Sequence, residues 1–502
     1  MVVQRGFAAN SQSRGAGTSL SARPGLRKRS RFGYNERVKA AEDGLGFGDA
    51  LLAGAIRRDW LSGRPPGPSA GLRRLRPRLA RLLARVDGDA IDRADRVPAS
   101  VIAGLRRLGV FRLRLPREHG GLGLSHSDYR RAVALIAARS AGLSMWVTTH
   151  QGLGAAALVA AHGTPDQKVA LLPRMAAGEL SALAVTEVEA GLDAARTASA
   201  ARPLPGGRAY RLDGRKLWVT NAPVARWLAV LARAPGGLAI FVVDARARGV
   251  RVERRCRFLG LRGMENGVVR LTGALAPVSR RVGAEGEGLR LAASALGTGR
   301  LSVVSRALGL AGECRRAARA WIRGRRALAA EPAVAARLAR LDELVAALEA
   351  VDARVALWAD SGRELRTDSA LAKLFAASAA WEAADVALQL RGARGYETAD
   401  SQRARGENPV PAERWLRDAR GLRLIEGSDD ALRAALARRG LELARAGARA
   451  PRGRDPLARR AAALAADFRS LARGAGGAVP ARALELVDEA ARLFAAACLS
   501  AR

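Results

Sequence analysis

Apolar residues recur at helical spacing over most of this chain and give way to short alternating runs in one central stretch. From Leu72 to about Gly178 the period is helical, with Val101, Ile102, Leu105, Leu108 and Val110 on one stripe. Between Leu180 and Val282 the runs 210–212, 217–220, 227–231, 238–243 and 268–271 are short and separated by Gly, Asn and Asp turns. That pattern predicts a small β-domain. Helical spacing resumes over 286–440, with Trp381, Val386, Leu388 and Leu390 among the core candidates. The pattern therefore predicts an α+β chain that is mostly α. It has an N-terminal helical domain, a small central β-barrel-like domain, a C-terminal helical bundle and a helical tail. The predicted segments are 1–35, 36–179, 180–285, 286–440 and 441–502.

Several smaller features sharpen this outline. Residues 45–61 form a short amphipathic segment followed by a Pro/Gly linker over 63–71. The longest uncharged run, 141–165, contains Thr148, Thr149, His150 and Gln151 and is too polar for a lipid-facing helix. It reads as two buried helical pieces around a turn. The stretch 397–412 is polar and contains proline, which predicts a surface loop. In the tail, a linker over 448–456, a basic helix and a Gly-rich joint precede a last helix. Leu484, Val487, Ala491, Phe494 and Cys498 share a face there that requires a docking partner.

Charge changes the picture most. The 502 residues carry a net charge of +38, and of 85 basic residues only Lys28, Lys39, Lys168, Lys216 and Lys373 are lysine. Arginine and alanine in such excess point first to a biased coding composition, with nucleic acid, an anionic surface or a polyphosphate ligand as the alternatives. Residues 1–35 contain no acid and seven Arg or Lys, the composition of a disordered basic arm. The expected location is cytoplasmic, or the mitochondrial matrix if that arm is a transit peptide. Cys256, Cys314 and Cys498 lie far apart without a C-x-x-C, which argues for a reducing compartment and against a metal site.

One carboxylate stands out. Residues 413–430 read ERWLRDARGLRLIEGSDD, a charged helix running into an apolar turn where Glu426 sits between Ile425 and Gly427. A carboxylate in an apolar setting acquires a raised pKa, as a general base requires. Glu before Gly is also how many helices end, so the pair alone leaves both readings open.

This turn resembles that of the acyl-CoA dehydrogenase family through Arg417, Asp418, Arg420, Glu426, Gly427 and Ser428. Four further blocks resemble family blocks in the same order: AVTEVEAGLD at 184–193, DGRKLWVTNA at 213–222, LGLRG at 259–263 and QLRGARGY at 389–396. Together with the C-terminal extension they are nearest the long and very-long-chain type. The resemblance implies FAD-dependent α,β-dehydrogenation of an acyl-CoA thioester, with electrons passed to an electron-transferring flavoprotein. It implies Glu426 as base, and Thr186, Trp218, Thr220, Arg325, Gln389, Gly392 and Ser428 as cofactor contacts. Leu192, Arg300 and Gly427 fall at substrate positions, and the expected assembly is a homodimer or homotetramer. Lysine 373 with Leu374 and Phe375, and the extension, lean towards long acyl chains.

The chain departs from the family pattern at Leu192 (serine in the family), Gly297 (an acid or amide), Leu328 and Ala329 (Phe and Gly) and Ala393 (glycine). These changes erode contacts to the dinucleotide half and predict weak FAD retention. Restoring Ser at 192 and Gly at 393 is expected to raise flavin occupancy. Two alternatives therefore stand beside the dehydrogenase. One is a DNA- or partner-binding homologue drawing on the basic segment 438–473, and the other is a catalytically silent homologue acting in assembly.

Overall fold

The computed structural model describes residues 45–190, 193–448, 455–474 and 478–501. The basic arm, Leu192, most of the 448–456 linker and the Gly-rich joint lie outside the described residues. No helix among the described residues is long and apolar enough to cross a membrane.

The helical spacing at the N-terminal side produces helices whose apolar stripes meet. The Ala70–Ala84 helix begins at Ser69, whose hydroxyl accepts the Leu72 N–H at 3.3 Å. Its Leu72, Leu75, Leu79 and Leu83 bury against Ile102, Leu105, Val110 and Phe111. Val101 and Leu108 of the predicted stripe are partly buried at its margin. The uncharged run forms helices Ala141–Thr148 and Ala155–His162 joined by a π turn over Thr149–Leu153. Every residue from 141 to 156 is buried.

The central region is one sheet of eight strands: β1 (Ser181–Ala184), β2 (Ala200–Pro203), β3 (Ala209–Thr220), β4 (Trp227–Ala234), β5 (Gly237–Asp244), β6 (Val250–Arg255), β7 (Asn266–Pro277) and β8 (Arg281–Val282). Their order is β6-β7-β3-β2-β4-β5-β8, with β1 pairing β4 in parallel. Among the described residues β6 and β8, the two ends of this path, do not pair, and the expected central β-domain between two helical regions is present. The runs 210–212 and 217–220 belong to the single strand β3, bent by register shifts between Leu212 and Gly214 and between Lys216 and Val219. Charged β6 gave no apolar run to read: four of its six residues are Arg or Glu, as suits a sheet edge.

The C-terminal half is built on long helices, Gly288–Ile322, Pro332–Asp360 and Arg366–Arg391. Alanines 376, 377, 380, 383, 384 and 387 line the buried side of the last of these and let its neighbours approach closely. The Ala481–Ser500 helix docks on this bundle. Phe494 meets Phe47 and Trp358 edge-on, with ring centroids 5.6 and 5.9 Å apart. Val487, Ala491 and Cys498 of the predicted face are buried with it, and Leu484 is partly buried.

The expected surface loop at 397–412 is a correction. It contains the Ala399–Ala404 helix, and Gln402 is fully buried at its centre. The Gln402 amide donates to the carbonyls of Arg394 and Glu397 at 3.0 Å and accepts the Val410 N–H at 3.0 Å. One buried amide that satisfies three backbone groups folds a polar segment that has no apolar stripe of its own.

Candidate active site

The Ala412–Leu422 helix is anchored before the turn it carries. Arg417 grips Asp92 through two bonds of 3.0 and 2.7 Å, and the Asp418 carboxylate accepts the Leu261 N–H at 2.6 Å. A Cβ on Gly260 would collide with the Arg417 carbonyl. The 259–263 and 413–430 blocks thus meet as scaffold. Burial pushes Asp418 up to about 6, with Arg414 and the Leu261 amide opposing.

Two consecutive left-handed residues follow, Glu426 at φ 56° and Gly427 at φ 91°. Glutamate costs free energy in that region, so surrounding bonds must hold it there. Lys373, fully buried on the Arg366–Arg391 helix, supplies them. Its ammonium donates to the carbonyls of Gly427 at 2.9 Å and Arg423 at 3.3 Å, and to Asp429 at 2.8 Å. A compact cation with rotatable donors fits this ring of acceptors as a planar guanidinium would not. Arg300 adds a bond from Nε to the Glu426 carbonyl at 3.2 Å. Ser428 caps the Asp429–Arg445 helix, accepting the Ala431 N–H at 3.3 Å.

The Glu426 side chain is directed at the Gly288–Ile322 helix, where a Cβ on Gly299 would lie 2.8 Å from Oε2. Among the described residues Glu426 forms no ion pair, and neither its carboxylate nor its N–H has a hydrogen-bond partner. Burial raises its pKa, opposed by Arg306, then Arg300, then Lys373. A half-buried carboxylate with free oxygens and cations nearby can take a proton from carbon and hold it.

Trp218 is not β-domain core. It sits at the second irregularity of β3 with φ 55° and is 57% exposed, so one ring face is open. Thr186 lies alongside, its carbonyl accepting the Leu217 N–H at 2.8 Å. The Thr220 hydroxyl accepts the Asn266 amide at 3.0 Å and donates to Met264 Sδ at 3.9 Å, a weak acceptor that a ligand atom could replace. Beneath them Lys216 and Glu187 form a buried pair at 2.6 Å, with the Glu187 carboxylate also bonded to Thr197 and Ser199. Burial opposes the charge on Glu187, yet Lys216, Ser199 and Thr197 hold it down to about 2. The same pair ties the 184–190 segment to β3.

Gln389, Gly392 and Arg325 are brought together, but apart from Glu426. Sixteen residues separate Lys373 from Gln389 on one helix, about 24 Å. Gln389 and Arg325 are exposed, and Gly392 has φ 58° with open space where a Cβ would stand. Ala393 is exposed at the start of the next short helix, and Leu328 and Ala329 lie in the Arg326–Ala330 helix. Arg325 and Arg391 stack on Trp321, 3.6 and 4.4 Å from its ring centroid. All three line a cavity of about 630 Å³. Burial lowers the Arg391 pKa, reinforced by Arg325 and Arg394, so the cluster calls for an anion. Gly297 has nothing within 4 Å of its Cβ position.

Sequence reasoning missed Arg391, Trp321, Tyr129 and Arg306. Arg306 was legible in principle: Gly299, Ser302 and Arg306 follow i, i+3, i+7 on one face, and a charge there is out of place among valines and alanines.

Models of the acyl-CoA dehydrogenase N-terminal, middle and C-terminal domains match residues 75–179, 182–274 and 286–441. A probable acyl-CoA dehydrogenase of Mycobacterium tuberculosis, FadE10, is 40% identical over 376 residues, covering 73% of this chain and 58% of that protein. The rat very long-chain specific acyl-CoA dehydrogenase is 28% identical, covering 80% of this chain and 63% of that one. The chain thus spans about three-fifths of the length of these relatives. In fold it is similar to an acyl-CoA dehydrogenase from Bacillus anthracis solved with FAD, at TM-score 0.76 and 20% identity, covering 91% of this chain and 84% of that one. Three domain matches in order, on a central sheet flanked by helices, establish that the chain belongs to the acyl-CoA dehydrogenase family.

Proposed function

We propose that this chain removes hydrogen from the α and β carbons of an acyl-CoA thioester to give the trans-2-enoyl thioester. The observation that carries this reading is the Glu426 carboxylate, unpaired and half-buried in a strained turn against Gly299. Glu426 takes the α-proton on a carboxylate oxygen, and the C–H electron pair moves towards the carbonyl. The unbonded Glu426 N–H is placed to donate to that carbonyl oxygen as charge develops there. Burial keeps the base strong, while Arg306, Arg300 and Lys373 keep it charged before the proton arrives.

FAD, when bound, supplies the acceptor for the hydride that leaves the β carbon. The residues present fit it: Trp218 offers an exposed ring beside the Thr220 hydroxyl, whose proton is held only by the long contact to Met264 Sδ, and Arg325 and Arg391 offer an anion site on Trp321. Those guanidiniums lie at the far end of the Arg366–Arg391 helix from Glu426, which supports a homodimer or homotetramer in which they hold the phosphates of a neighbour's cofactor. Electrons then pass to an electron-transferring flavoprotein.

The test is the visible spectrum of the purified protein, before and after anaerobic addition of acyl-CoA. Bleaching of a flavin band that is lost in Glu426→Gln supports the reading. A protein that binds no FAD, or bleaches equally in the variant, overturns it.

A further inference from the structure

Along the helix face that covers Glu426, the Gly288–Ile322 helix presents Gly299, Ser302 and Arg306 in one stripe. Arg306 is 1% exposed. Its Nη1 donates to Thr148 Oγ1 at 2.7 Å and contacts Met145 Sδ at 2.8 Å, while Nε and Nη2 have no partner. Among the described residues Arg306 forms no ion pair. The buried hydroxyls of Tyr129 and Ser302 are also unpartnered. Burial pushes the Tyr129 phenol up to about 12, against the influence of Ser302 and Arg306 beside it, so it stands as a neutral donor.

Asp352 does not answer this charge. Its two oxygens are engaged by Ser305 Oγ at 2.7 Å and Arg130 Nη1 at 2.8 Å. Glu426 acts on Arg306 through space without touching it. A buried cation with two idle donors is costly, and an apolar chain end would leave it so. An anion with two oxygens, presented side-on to Nε and Nη2, satisfies both at once. The stripe places this group about 10 Å along the helix from Gly299, against which the base lies.

Resting on the dehydrogenase reading, we infer that Arg306, with Tyr129 and Ser302, receives a carboxylate at the far end of the acyl group. The substrate class is then a short dicarboxylic acyl thioester, in place of the long unsubstituted chain that the sequence leaned towards.

Matched thioesters of four, six and eight carbons, with and without a terminal carboxylate, test this in two measurements: anaerobic flavin bleaching and binding titration. At the best length the carboxylated member is expected to be preferred by about 10²-fold in kcat/KM. Arg306→Gln should abolish that preference, which is read as the ratio between matched members so that any slowing common to both through Glu426 cancels. Tyr129→Phe, which keeps the buried cation, should reduce it severalfold. Equal use of both members by the unmodified protein overturns the inference, as does an equal loss for both in Arg306→Gln, which would make Arg306 a positioning residue for Glu426. If no thioester bleaches flavin, the dehydrogenase reading falls. Arg306-dependent tighter binding of the carboxylated member would then still support the subsite, and equal binding would overturn it.

Discussion

Gly299 leaves open the space that the Glu426 carboxylate uses: a Cβ on residue 299 would stand 2.8 Å from Oε2 and 3.0 Å from Cδ. Leu153 crowds the same point at 2.7 Å, so neither neighbour can give way without shifting. Gly299→Ala is expected to lower turnover by about 10²-fold through displacement of the base. Alanine in a helix interior gains about 1 kcal/mol over glycine, which offsets the crowding, so thermal stability should change little. A variant that unfolds early, or one with full activity, would contradict this.

Lys373 and Asp429 are both buried, and the lysine also holds two carbonyls of the Glu426 turn. Lys373→Met strips all three bonds. The cost is expected near the lower end of about 3–5 kcal/mol, because Arg423 still pairs Asp429 at 2.7 Å. Denaturant unfolding measures it. Activity should fall further than the folded fraction does, since the left-handed turn loses its support.

Trp218 is the reverse case, an exposed side chain in a left-handed conformation. Removing it takes away little packing, and glycine relieves strain of about 1 kcal/mol. Trp218→Gly should therefore be as stable as the parent or slightly more so, while flavin occupancy after purification falls. Retention of flavin by this variant would remove Trp218 from the cofactor site.

Asp368 gives a pH dependence whose sign is fixed. Burial pushes it up to about 7, although the Gly48 N–H donates to Oδ1 at 2.8 Å. Its folded pKa lies above its unfolded value, so its contribution is fully present near pH 4 and lost as pH rises through 7. Asp368→Asn keeps the acceptor for Gly48. It should raise the melting temperature at pH 8, leave it unchanged at pH 4 and flatten the profile between.

The outline of the fold was legible because helices bury stripes, and stripes survive an arginine-rich composition. Residues 72–83 and 484–498 show this directly. The sheet was half legible: β4 and β5 are apolar runs, whereas β6 hides behind charge and β1 and β2 are four residues each. Of the site, Glu426 announced itself by its neighbours in sequence. Lys373, Arg306 and Trp321 did not, because each acts on residues at least 50 positions away or on a cluster that only packing assembles. Gln402 shows the same limit within one loop, where satisfied carbonyls leave no trace in hydropathy.

Phe47, Trp358 and Phe494 form one aromatic contact that joins the first described helix to the last. During synthesis the Phe47–Leu52 helix therefore leaves the ribosome several hundred residues before the ring that completes its packing. Its leucines and Phe47 remain without their full native cover until residues 481–500 are made. Nonsense mutations anywhere before residue 481 would leave that apolar helix open to chaperones and proteases, even with every residue of the Glu426 turn in place.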